Sequence, residues 1–142
     1  MKSCSWHPLL LLLLLPGLAC AACFEAAAAR YRLPVSLLSA ISRVESAGNA
    51  DALHHNRNGS VDIGHMQINS AWLPTLARYG IDQKQLSDAC TNTHVAAWIL
   101  AQNIARLGYN WEAIGAYNAT SPGKRQIYVH KILTVLRREG VL

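Results

Sequence analysis

The sequence has no apolar run long enough to span a bilayer as a permanent helix. Its most apolar run is the seven leucines Leu9 to Leu15, broken at once by Pro16-Gly17. Its six histidines show no H-E-x-x-H or comparable spacing, so no metal and no other cofactor is expected. The dense interleaving of basic and aromatic residues that marks a nucleic-acid surface is also missing, which removes nucleic acid from the expected partners. Beyond residue 22 there is no internal repeat, linker or low-complexity segment. With 142 residues, the chain is too short for two domains of ordinary size.

The first residues carry a different signal. Lys2 supplies a positive start, the leucine run follows, and small residues close the segment in "LACAAC". This is the layout of a secretory signal peptide over residues 1–22, cut after Ala21 or Ala22, with a mature domain over 23–142. The expectation is an exported protein with no stable membrane insertion. A lipid-anchored cysteine is disfavoured, because "GLAC" and "CAAC" lack an aliphatic residue three places before the cysteine. Without Lys2, 12 of the 13 basic residues remain against 8 acidic ones, a scattered positive balance. Of the four cysteines, Cys4 and Cys20 leave with the signal. Cys23 and Cys90 remain and are expected to form one disulfide, closing a loop worth about 4 kcal/mol in the chain-entropy model.

The rest reads as helical with a small insert. Helices are expected over 23–31, 34–46, 70–79, 93–107, 110–117 and 123–139, with Pro34 in a first turn and Gly80 and Gly108 as stops. Between them, "HHNRNGSVDIGHMQIN" (54–69) has no helical period, and Asn58-Gly59 signals a hairpin. The fold class is mainly α, a single domain with a small β-hairpin or loop insert, and a monomer is the default.

One residue stands out against this pattern. At 100° per residue, Leu38 lies about 20° from Glu45 around the second helix, and Ile41 about 40° away on the other side. Glu45 therefore shares the apolar stripe, close to the negative end of the helix dipole. Burial and dipole both favour a protonated carboxyl, which can act as a general acid. The ordinary alternatives are that Glu45 reaches solvent past the helix end or pairs with an arginine.

Three blocks bear on the choice: "AISRVESAGNADA" (40–52), "DIGHMQINSAWL" (62–73) and "WEAIGAYNA" (111–119). In this order they resemble the lysozyme-like lytic transglycosylases, which cut bacterial peptidoglycan. With "TNTHVAAWILAQNI" following a cysteine, the chain looks most like the small forms that accompany secretion, conjugation or pilus machines. The resemblance implies a goose-lysozyme-like fold, a periplasmic location, peptidoglycan glycan strands as substrate, and such an apparatus as a partner. It implies Glu45 as the catalytic residue, first acid and then base. The bond cut would join N-acetylmuramic acid to N-acetylglucosamine, leaving a 1,6-anhydro product.

Carried over by position, Ser46 would support the glutamate. Gly64, Met66, Gln67 and Ile68 would shape the glycan groove, Tyr117 would contact Glu45 or the substrate, and Asn118 would line the cleft. For Met66 and Ile68 the competing role is core packing. His65 stands where the family usually has leucine. Asp62 is a possible second carboxylate that would make the enzyme a hydrolytic muramidase, or else a turn residue accepting backbone hydrogen bonds. A glycan-binding assembly protein without activity is the non-enzymatic alternative.

Overall fold

A computed structural model describes residues 18–142, with side chains from Cys23 onward; most of the expected signal segment lies outside the described residues. Helix α1 (Leu18–Tyr31) and helix α2 (Val35–Ser46) are separated by Leu33-Pro34, where the proline precedes the first turn. Helix α2 stops because Ala47 and Gly48 turn left-handed (φ 56° and 79°). Their N–H groups close back on the carbonyls of Arg43 and Ser42 at 3.0 and 3.2 Å.

Strands β1 (Leu53–His55), β2 (Val61–Ile63) and β3 (Ile68–Asn69) form a three-stranded antiparallel sheet in sequence order. His54 faces Asp62 across the first pair, and Asp62 faces Asn69 across the second. The hairpin signalled by Asn58-Gly59 is present, with Gly59 at φ 83°. The third strand is an addition to it.

The expected helix over 70–79 is instead broken into three short pieces. Two 3-10 turns, Ser70–Trp72 and Ala77–Tyr79, flank the single α turn of α3 (Leu73–Leu76). Pro74 lies in the first turn of α3, and its missing N–H interrupts the ladder there. Helix α4 (Gln83–Leu86), a further addition, begins with a reciprocal capping box between Asp82 and Gln85.

Helix α5 (Ala89–Leu107) starts four residues before the expected Thr93, because Asp88 accepts from the Thr91 N–H at 2.8 Å and caps it earlier. Asn110 caps the short α6 (Trp111–Gly115), and α7 (Pro122–Arg138) completes the chain.

Leu38, Ile41, Ile63, Met66, Leu100 and Ile132 are all wholly buried, so α2, the sheet, α5 and α7 share one core. The fold is mainly helical with a small sheet, as a lysozyme-like domain requires. Cys23 and Cys90 are joined as expected, Cα to Cα 5.2 Å, tying α1 to the first turn of α5. Among the described residues no helix is long and apolar enough to cross a membrane, and no cluster of potential metal ligands occurs.

Candidate active site

Glu45 is half-buried in the last turn of α2, at the edge of a cleft of about 730 Å³. The cleft runs between the sheet and the segment around Tyr117 and Asn118. Burial pushes the Glu45 carboxyl above the ordinary carboxylate range, and the negative charge of Asp62 adds to this. Three groups pull the other way without overcoming it. The Tyr128 hydroxyl donates to Oε1 at 2.7 Å. The Asn118 side-chain amide, which lines the same cleft, and the charge of Lys131 act in the same direction. No arginine pairs with Glu45 among the described residues; Arg43, two residues earlier, reaches Glu139 at 2.6 Å instead.

Across the cleft, Asp62 sits in the middle of β2 rather than in a turn. Its two oxygens accept from side-chain amides, Oδ1 from Asn69 at 2.7 Å and Oδ2 from Asn56 at 2.9 Å. The expected turn role, accepting from backbone, is therefore replaced: the strand register points the carboxylate at two amides that hold it in the cleft. The site thus sets one carboxyl that tends to keep its proton opposite one held by amide donors. A carboxyl of the first kind can give a proton to a bond lying beside it.

A separate apolar groove of about 460 Å³, lined by Tyr79, Trp98 and His94 among others, contains no carboxylate and cannot supply this chemistry.

The family described as Transglycosylase SLT domain matches residues 22–127. The chain belongs to that family. Protein IpgF of Shigella flexneri is 43% identical over 119 residues, covering 82% of this chain and 78% of its own. Invasion protein IagB of Salmonella typhimurium is 44% identical over 115 residues, 78% of this chain and 72% of its own. A peptidoglycan-binding-like protein of Escherichia coli O157:H7 is 36% identical over 132 residues, 84% and 79% respectively. The protein is accordingly a lytic transglycosylase, and peptidoglycan is its substrate class.

In this transglycosylase, Gln67, Ile68, Tyr117 and Asn118 line the cleft with Glu45. Gln67 adopts a left-handed backbone (φ 51°) and donates from Nε2 to the Gly64 carbonyl at 2.9 Å. Gly64 and Met66 do not line it. Met66 is wholly buried in the core. Gly64 lies beneath the cleft at φ 74°, where an added Cβ would meet the Asn92 side chain at 2.6 Å. That close approach has a purpose: Asn92 donates to the carbonyls of Ile63 and Leu86 and accepts from the Met66 N–H, at 2.9–3.0 Å. The glycine shapes the groove from behind, by admitting the asparagine that stitches its floor to α5.

The Ser46 hydroxyl makes its hydrogen bonds away from the Glu45 carboxyl. Its hydroxyl donates to the His65 carbonyl at 2.9 Å, so it ties the end of α2 to the turn after β2. His65 is buried, which pushes its imidazole below the ordinary range and leaves it neutral. It bonds Ser42 Oγ at 2.8 Å and Thr93 Oγ1 at 3.0 Å, a core role in place of leucine packing. The Tyr117 hydroxyl donates to the Met66 carbonyl at 2.9 Å rather than to Glu45.

The phenol that does reach Glu45 is Tyr128, a residue outside the three sequence blocks. Its stripe is a usable signal: Tyr128, Ile132 and Leu136 form the buried face of α7, and a buried phenol in such a face needs a polar partner.

Proposed function

We propose that the protein opens peptidoglycan by a lyase reaction at the bond between N-acetylmuramic acid and N-acetylglucosamine. The Glu45 carboxyl protonates the glycosidic oxygen as the C1–O bond breaks. The carboxylate left behind removes the proton of the sugar's own C6 hydroxyl while O6 bonds to C1. The proton count closes, Glu45 returns to its starting form, and the product end is a 1,6-anhydro ring. The observation that carries this reading is a half-buried carboxyl at the cleft edge, raised by burial yet held in one orientation by the Tyr128 hydroxyl. Tyr128 and Tyr117 both stay protonated, since burial and the charge of Glu45 raise them well above ordinary phenols.

A second reading is hydrolysis by Glu45 with Asp62, which lines the same cleft. The two readings differ in their products. Purified peptidoglycan is digested with the wild-type protein, and the new ends are identified by mass spectrometry. Anhydro ends are expected, and reducing ends would establish the hydrolytic reading instead. Glu45→Gln is expected to slow release of either product by about 10²–10⁴-fold, the range for a general acid. Equal release by wild type and variant would overturn both.

The place of action is part of the proposal. Residues 1–22 act as a cleaved export signal, and the domain works in the periplasm, where the disulfide persists. The relative named an invasion protein supports service to an envelope-spanning secretion, conjugation or pilus machine that needs a local gap in the wall.

A further inference from the structure

The cleft does not end at Glu45. A side pocket of about 230 Å³ opens between the last turn of α2 and helix α7, and none of its lining residues belongs to the sheet. Two of those residues are lysines, Lys124 and Lys131. In sequence, Lys124, Ile127, Tyr128 and Lys131 fall at i, i+3, i+4 and i+7, which is one stripe of a helix. Tyr128 is the buried middle of that stripe and holds Glu45. On either side of it the stripe offers an exposed ammonium group, with Ile127 63% exposed beside them.

Among the described residues neither lysine forms an ion pair, whereas Arg43 and Arg125 are paired with Glu139 and Glu112. Lys131 is close enough for its charge to act on Glu45.

The sheet side of the cleft has a different chemistry. Beside the charged Arg57 and Asp62, most of its polar lining is uncharged: Asn56, Asn58, Ser60, Gln67 and Asn69 offer donors and acceptors that suit acetamido sugars. An unpaired ammonium group gains little from a neutral sugar, but it can make a charge-assisted hydrogen bond to a carboxylate. Peptidoglycan has both kinds of group: neutral sugars along the strand, and short peptides on the lactyl ethers with free carboxylates and apolar side chains.

We propose that the Lys124–Lys131 stripe of α7 is the subsite for the peptide stem, the two lysines holding a stem carboxylate and Ile127 covering an apolar stem side chain. The inference rests on the substrate class above and adds to it a preference: strands that carry stems are selected over stripped strands. Because the stripe shares its pocket with Glu45, a stem held there would also set the register of the bond to be cut.

The test uses the full chain with Glu45→Gln, which binds without turnover. Calorimetric titration compares two soluble disaccharide-peptide fragments of peptidoglycan, one with free stem carboxylates and one with these converted to carboxamides. The free-carboxylate fragment is expected to bind about tenfold tighter, as two partly exposed ion pairs allow. In Lys124→Gln/Lys131→Gln on the same background, the ratio is expected to fall to about one. Lys124→Arg/Lys131→Arg is expected to keep most of it, which separates lost charge from lost fold.

A ratio near one with both lysines present, or a ratio unchanged without them, overturns the subsite. Should the wild-type chain fail to cut peptidoglycan while the ratio remains lysine-dependent, the lyase reading falls and the subsite stands. Active cutting with a flat ratio removes the subsite and leaves the lyase reading in place.

Discussion

Among single residues, the proposed chemistry turns on the Glu45 proton. Burial raises the carboxyl, and the Tyr128 hydroxyl partly offsets this by bonding the charged form. Tyr128→Phe removes that bond and keeps the ring, so the pKa of Glu45 rises further. If Glu45 must be protonated to act, the alkaline limb of kcat/KM against pH is expected to move to higher pH in Tyr128→Phe. A downward or absent shift would mean that the phenol acts otherwise. The same group bears on stability. A carboxyl raised in the folded state contributes stability below its unfolded pKa, and that contribution is lost as pH rises through the folded pKa. At neutral pH, Glu45 is therefore retained at some expense to the fold.

Between elements, the floor of the cleft depends on one side chain from α5. Asn92 is wholly buried and satisfies Met66, Ile63 and Leu86 at once, across sequence separations of 26, 29 and 6 residues. Asn92→Ala strands those three backbone groups. It is expected to lower the unfolding free energy by about 3 kcal/mol, read as a lower urea midpoint with an unchanged slope. Local chemistry makes much of the element pattern legible. Pro34 and the Ala47-Gly48 pair bound α2, Asn110 starts α6, and Asn58-Gly59 turns the first hairpin. Helix α4 and the early start of α5 rest on caps at Asp82 and Asp88, which are visible once the short helices behind them are sought. The Pro74 break is equally visible, but the apolar spacing of residues 70–79 favours an unbroken helix and masks it.

Across the whole molecule, the disulfide joins residues 67 apart and fixes α1 against the first turn of α5. Its reduction, or Cys23→Ser with Cys90→Ser, is expected to lower stability by about 4 kcal/mol. For a domain of this size that amounts to a fall in Tm of about 15 °C. Thermal unfolding with and without reductant checks it, and coincident transitions would show that the bridge contributes nothing. The pocket arrangement is also a property of the whole. Asn118 lines the main cleft, the lysine side pocket and a further groove towards Gln102 and Arg106, so three paths meet at Asn118.

Most of the helices, the hairpin, the disulfide partners and the stripe that carries Glu45 follow from the order of residues alone. Each of these depends on backbone periodicity, turn chemistry or the pairing of two remaining cysteines, all expressed within short reach or by simple count. Packing in three dimensions brings Tyr128, 83 residues away, to Glu45, while Tyr117 turns to the Met66 carbonyl. Packing also moves Gly64, Met66 and Ser46 behind the cleft and sets Asp62 between two amides. Those outcomes depend on how α2, α5, α7 and the sheet cross when one core is filled, and no local pattern encodes a crossing.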